Sequence, residues 1–151
     1  MSEKNKIIVA LGSDHGAYAL KMCIFDHLVE NGFTVIDCGT DNTASCDYPI
    51  YAKLVAERVL SEKANFGILC CGTGIGVSIA ANRIPGIRAA LCSDLTSAEL
   101  TRQHNDANIL CLGGRMLQKG FALSILDKFL ATEFSNDARH INRIKMLEQM
   151  T

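Results

Sequence analysis

Charge of one sign is what this sequence most clearly lacks. Across 151 residues, 15 lysines and arginines stand against 16 acidic residues, for a formal net charge of −1. Nothing in that balance recruits nucleic acid or an anionic membrane, so any anion site must be local. Long apolar runs are missing too. After the polar start MSEKNK comes only the short stretch IIVALG, too brief for a signal peptide or a membrane span, and the expected location is the cytoplasm. The seven cysteines, Cys23, Cys38, Cys46, Cys70, Cys71, Cys92 and Cys111, are an odd count with no C-x-x-C pair, and most lie in apolar runs. They read as reduced, mostly buried thiols. There are no internal repeats, linkers or low-complexity segments. At this length, with 48% hydrophobic residues, one domain over residues 1–151 is expected.

What is present is a regular alternation of short apolar runs and helical patterns. KIIVALG is the first strand, FTVIDC the second, FGILCC the third, IRAALCS the fourth and NILCLG the fifth. Residues 17–31 carry Leu20, Ile24 and Leu28 at helical spacing, with Gly32 as a stop. A second helix runs from about Tyr48 to Ser61, with Pro49 in its first turn and Tyr51, Leu54, Val55, Arg58 and Val59 along one side. GVSIAANR is a short helix ended by Pro85-Gly86. The pattern TSAE at 96–99 predicts a capped helix ending near Gln103 or His104. Phe121, Ile125 and Phe129 mark the helix after the fifth strand. The last segment, DARHINRIKMLEQM, adds a helix with Ile141, Ile144 and Leu147 on one side and Arg139 and Arg143 on another stripe. Strands buried on both faces and separated by helices predict a three-layer α/β/α sandwich, a five-stranded parallel Rossmann-like sheet with an extra C-terminal helix.

Ligands of such sheets bind beyond the carboxyl ends of the strands. There the first strand delivers Asp14 and His15, the third Cys71 and its glycines, and the fifth Gly113, Gly114 and Arg115. The loop CGTGIGV fits a dinucleotide fingerprint poorly: Gly72, Gly74 and Gly76 are spaced G-x-G-x-G, with Val77 in the slot after them. Asp94, past the next strand, imitates a ribose-binding acid and keeps a nucleotide-binding module as an alternative. No Gly-Lys-Ser/Thr follows the loop. A redox pair is disfavoured because strand alternation sends Cys70 and Cys71 to opposite faces. Cys70 is expected in the core, and Cys71 at the rim, beside a helix N-terminus that favours thiolate. A thiolate next to a cradle of amides suits proton abstraction beside a carbonyl, with the amides taking the enediolate oxygen. Arg115, Arg139 and Arg143 suit a terminal phosphate. His27 and His140 are expected on solvated helix faces.

The segments GSDHGAYALK, DYPIYA, CGTGIGVSIAANRIPGIRAAL, RQHNDANILCLGGR and RHINRI, in this order, resemble the B-type ribose-5-phosphate isomerases and the related galactose-6-phosphate isomerase subunits. The likeness covers nearly the whole chain. It implies interconversion of ribose 5-phosphate and ribulose 5-phosphate through an enediol, in the non-oxidative branch of the pentose phosphate pathway, with no metal or other cofactor. By the same resemblance Cys71 is the base, and His104 opens the sugar ring, with Thr73 assisting. Asp14 and Asn105 hold sugar oxygens, and the backbone of Gly72, Gly74, Ile75 and Gly76 receives the enediolate. His15, Arg115, Arg139 and Arg143 bind phosphate. Some relatives place a glutamate base further along the loop, where this sequence has Val77. A hexose 6-phosphate of galactose or allose type is the alternative substrate.

His104 raises a geometric problem. The helix that ends there runs antiparallel to the sheet and is ~15 Å long, which leaves its end near the bottom of the strands, away from Cys71. His104 is therefore either structural or enters a partner's site. The resemblance favours the second, a homodimer with shared sites that can assemble further into a tetramer.

Overall fold

The computed structural model describes residues 6–150; of the MSEKNK start, residues 1–5 lie outside the described residues, as does residue 151. Strands β1 (Ile8–Ser13), β2 (Thr34–Asp37), β3 (Phe66–Cys71), β4 (Ala89–Leu91) and β5 (Ile109–Gly113) alternate with helices. These are α1 (Tyr18–Glu30), α2 (Tyr48–Leu60), α3 (Ile75–Asn82), α4 (Leu95–Asn105) and α5 (Lys119–Ala131), followed by α6 (Ala138–Glu148). All strand pairs are parallel, in the order β2-β1-β3-β5-β4. The apolar runs of β1, β3 and β5 occupy the centre, where both faces are covered.

One face packs against α1, α4 and α5 through Leu20, Ile24, Leu28, Ala98, Ile125 and Phe129. The other packs against α2 and α3 through Ala52, Val55, Ala56, Val77 and Ala81. Glycine in the strands lets α2 come close on this second face. A Cβ at Gly67 would lie 2.6 Å from Val55 Cγ1, and one at Gly12 2.8 Å from Val55 Cγ2. The small residues of α2 therefore form its buried face, and Leu54, assigned to that side from spacing, is exposed.

Three further expectations shift. The fourth strand is only three residues long, because β4 is an edge with one neighbour, and the Arg88 amide leaves the ladder to donate to Asn108 Oδ1 at 2.8 Å. Helix α4 is capped by Asp94 rather than Thr96: the extended Asp94 accepts from the Ser97 amide at 2.6 Å, so the helix starts two residues earlier than the TSAE pattern suggested. Helix α6 does not bury its Ile141–Ile144–Leu147 stripe. It meets the end of α4 rather than the sheet, so His140 is its buried residue and Leu147 stays 46% exposed.

Lys21 of α1 is fully buried, with its ammonium 2.7 Å from Asp37 Oδ1 and donating also to the Thr40 carbonyl. Those bonds tie α1 to the start of the long loop between β2 and α2. Lys21→Met keeps the volume of the side chain but leaves the buried Thr40 carbonyl without its donor, while Asp37 is exposed and keeps its bond from the Gly39 amide. It should lower the unfolding free energy by about 1–3 kcal/mol, the usual cost of leaving buried groups unpaired. Urea unfolding at neutral pH reads the change, and an unmoved midpoint would show that the pair adds nothing to the fold.

Candidate active site

The strand order explains why three distant segments meet. The chain passes from β1 to β2 on one side and then to β3 on the other, and the crevice at such a reversal is where open parallel sheets bind ligands. β1, β3 and β5 are neighbours, so Asp14, Cys71 and Arg115 emerge side by side at one end of the sheet. Asp14 is nearly buried, and its Oδ1 accepts from the Gly16 amide at 2.9 Å, opening the tight turn before α1. His15 Nδ1 accepts from the Cys46 amide at 3.2 Å. That bond leaves Nε2 as the protonated edge of the neutral ring, a donor free to meet a ligand.

The two adjacent cysteines divide as alternation requires. Cys70 joins the core on the α1 side, where burial pushes its thiol far above the ordinary range. Cys71 lies on the α2–α3 side, 4% exposed, and its Sγ accepts from the Gly74 amide at 3.1 Å. Gly74 has φ +79°, and a Cβ there would lie 2.6 Å from Leu91 Cδ1 and 2.8 Å from the Leu112 carbonyl carbon. Glycine alone lets the chain turn from sulfur into α3 at this point. Thr73 Oγ1 accepts from the Ile75 amide at 3.2 Å, so the hydroxyl stands at the mouth of the loop. Val77 is fully buried, in the same core cluster as Cys71.

Arg115 closes the other side. Its amide donates to the Gly72 carbonyl at 2.9 Å. Its guanidinium lies so close to both loops that a Cβ on Gly72 would be 3.1 Å from Nη1 and one on Gly16 3.3 Å from Nη2. An acid, a thiol, a hydroxyl, a histidine edge and a guanidinium thus share one rim with a run of glycine amides.

The remaining candidate residues sit elsewhere. His104, Asn105, Arg139 and Arg143 gather at the opposite end of the sheet, because α4 runs back along it and ends just before β5 begins. Eleven residues of helix span ~16 Å, which keeps His104 from the Cys71 of its own chain. The His104 ring stacks on that of His140, with centroids 4.3 Å apart and planes 16° from parallel. Asn105 is fixed by Thr101 Oγ1, which donates to its Oδ1 at 3.1 Å, and by Arg88 Nε, which donates to its carbonyl at 2.8 Å. A cavity of about 440 Å³ lies beside Asn105, Arg88, Thr101 and Leu147. Arg139 is exposed and 3.4 Å from Asp137, and Arg143 is exposed as well.

Asp94, the feature that sustained a nucleotide-binding alternative, serves as the cap of α4. Among the described residues no three His, Cys, Asp or Glu side chains group as a metal site, and no helix is long and apolar enough to cross a membrane. Of the two histidines assigned to solvated faces, His27 contacts Asp127 at 2.8 Å and His140 is buried. Sequence reasoning assigned no role to Tyr48, whose ring covers Gly76 so closely that a Cβ there would be 2.7 Å from Cζ. It also missed Cys46, whose amide orients His15. Both lie where the polar loop joins α2, and spacing there carries no signal about what the loop folds onto.

The chain is similar to known proteins along nearly its whole length. A family model described as ribose/galactose isomerase matches residues 9–147. A putative sugar phosphate isomerase of Rickettsia bellii is 47% identical over 140 residues, covering 93% of this chain and 96% of that protein. Ribose-5-phosphate isomerase B of Escherichia coli is 45% identical over 139 residues, covering 92% and 93%. Among solved structures, the ribose-5-phosphate isomerase B of Clostridium thermocellum superposes with a TM-score of 0.94 at 46% identity, covering 95% of this chain and 97% of that one. With the match spanning nearly every element that shapes the crevice, the chain belongs to the ribose/galactose isomerase family.

Proposed function

We propose that this chain is a cytoplasmic, single-domain aldose-ketose isomerase that interconverts D-ribose 5-phosphate and D-ribulose 5-phosphate, a reaction of the non-oxidative pentose phosphate pathway. The observation that carries the proposal is the Cys71 thiol, held by the Gly74 amide at the end of β3 between Asp14 and Arg115. Cys71 removes the proton from C2 of the opened sugar and returns it to C1. The electron pair moves through the enediolate, and the carbonyl passes from C1 to C2. The amides of Gly72, Gly74, Ile75 and Gly76 take the oxygen that bears charge in between, Gly74 and Ile75 giving up their bonds to Cys71 Sγ and Thr73 Oγ1 to do so. Asp14 and Asn105 hold sugar hydroxyls.

Ring opening needs a proton donor at the ring oxygen, and His104, assisted by Thr73, is assigned that role. The separation of His104 from Cys71 within one chain requires that the two meet across an interface. The active unit is therefore a homodimer, itself able to pair into a tetramer, in which the α4–α6 end of one protomer completes the crevice of the other. Arg139 and Arg143 travel with that end and join Arg115 and His15 around the phosphate. An anion needs such local positive charge, since the chain as a whole supplies no excess.

Ribose 5-phosphate incubated with the purified protein in a chelating buffer should yield ketose at a steady rate, unchanged by the chelator. Absence of ketose overturns the proposal. Galactose 6-phosphate and allose 6-phosphate, run alongside, should react more slowly, because the extra carbon alters the span between the arginines and the carbonyl. A hexose faster than the pentose would reassign the substrate within the same chemistry.

A further inference from the structure

We infer that His140 is a positioning residue for His104: its buried ring, stacked face to face on the His104 imidazole, sets the direction in which that imidazole leaves the end of α4. The inference rests on the isomerase proposal above for what His104 does, but the stack itself stands apart from it.

The backbone under His104 is already fixed. Helix α4 ends in Asp106 with φ +44°; Arg102 Nη1 donates to Asp106 Oδ1 at 2.8 Å and to the Ala107 carbonyl at 2.7 Å, while Arg88 Nε holds the Asn105 carbonyl. The His104 ring has no such anchor. Among the described residues no hydrogen bond or ion pair reaches it, and its ring contact is His140. A general acid works only when aimed, and a misplacement of about 1 Å costs roughly 100-fold. The stack is what restricts the two torsions of the His104 side chain.

His140 is built for this. Asp137 caps α6, its Oδ1 accepting from the Arg139 amide at 3.1 Å and its carbonyl from the His140 amide at 3.0 Å. The ring is 6% exposed. The charged groups facing it are His104 from α4 and, from its own helix, Arg139, Arg143 and the opposing Asp137. Burial first, and then the positive neighbours, hold its pKa below the ordinary value. A neutral ring is the better platform, because two imidazolium rings at 4.3 Å would repel each other when His104 takes up the proton it must deliver.

The test compares His140→Ala with His140→Phe, which keeps an aromatic face but cannot titrate. His140→Ala should lower kcat on ribose 5-phosphate about 10- to 100-fold, with KM nearly unchanged. Ribulose 5-phosphate, whose phosphorylated 5-oxygen cannot close a furanose on C2, should keep exchanging its C1 hydrogen into heavy water. His140→Phe should recover most of the lost turnover. In proton NMR without substrate, the His104 ring signals should move downfield in His140→Ala, where the ring current is gone, and return upfield in His140→Phe. The inference is overturned if His140→Ala turns over normally, if His140→Phe is as impaired as His140→Ala, or if the His104 signals do not move. A wild-type protein that leaves ribose 5-phosphate untouched overturns the isomerase proposal and the catalytic part of the inference, while the NMR shifts still decide the stack.

Discussion

Cys71→Ser should reduce turnover of ribose 5-phosphate by about 10²- to 10⁴-fold, the contribution expected of a general base in position. The same variant should lose exchange of the ribulose 5-phosphate C1 hydrogen, because both depend on one proton acceptor. A serine oxygen still accepts from the Gly74 amide, so the loop should keep its shape and the unfolding midpoint should hardly move. The neighbouring Cys70→Ser is the control, and it should behave in the opposite way. It places a hydroxyl among Leu11, Leu110 and Leu112 in the core, which should cost about 1–3 kcal/mol of stability while leaving proton exchange intact. A Cys71→Ser protein that retains more than a tenth of wild-type turnover would remove Cys71 as the base.

His104→Ala should abolish most turnover of the ring form, by about 100-fold or more, yet leave proton exchange on the open-chain ketose. It should also be rescued by a second dead protein. In a mixed dimer of one Cys71→Ala protomer and one His104→Ala protomer, both lesions fall in the same composite site, and the other site is intact. Random exchange makes half the dimers mixed, so about one quarter of the wild-type activity should return. Mixing after mild dissociation, with activity followed over time, reads this directly. No recovery, with subunit exchange confirmed by mass spectrometry of differently labelled chains, would show that sites are not shared.

Much of the crevice could be read from residues alone. The apolar runs marked all five strands, and β3 was placed at its observed limits because FGILCC is bounded by turn signals on both sides. Alternation separated Cys70 from Cys71 correctly, since the pleat requires it whatever the tertiary setting. The direction of α4 followed from chain connectivity, which predicted the distance between His104 and Cys71. What stayed hidden depends on contacts between distant segments. Nothing in the spacing of α6 shows that it docks on the end of α4, so its apolar stripe pointed to the wrong buried face and His140 was assigned to solvent. The TSAE pattern was a sound local signal outcompeted by Asp94, a better acceptor one residue before the helix. Strand order was invisible as well, and with it the reason that three odd-numbered strands supply one crevice.

That order also bears on how the site comes into being. In the central sheet Val9 pairs with Phe66 and Gly67 with Ile109, partners more than forty positions apart. Pairings of such long sequence separation form late, after the entropy of closing large loops has been met. During synthesis Cys71 leaves the ribosome well before Arg115, and for that interval it has neither its strand partner Gly113 nor its guanidinium neighbour. The part of the crevice that one chain builds is thus complete only once β5 has paired with β3.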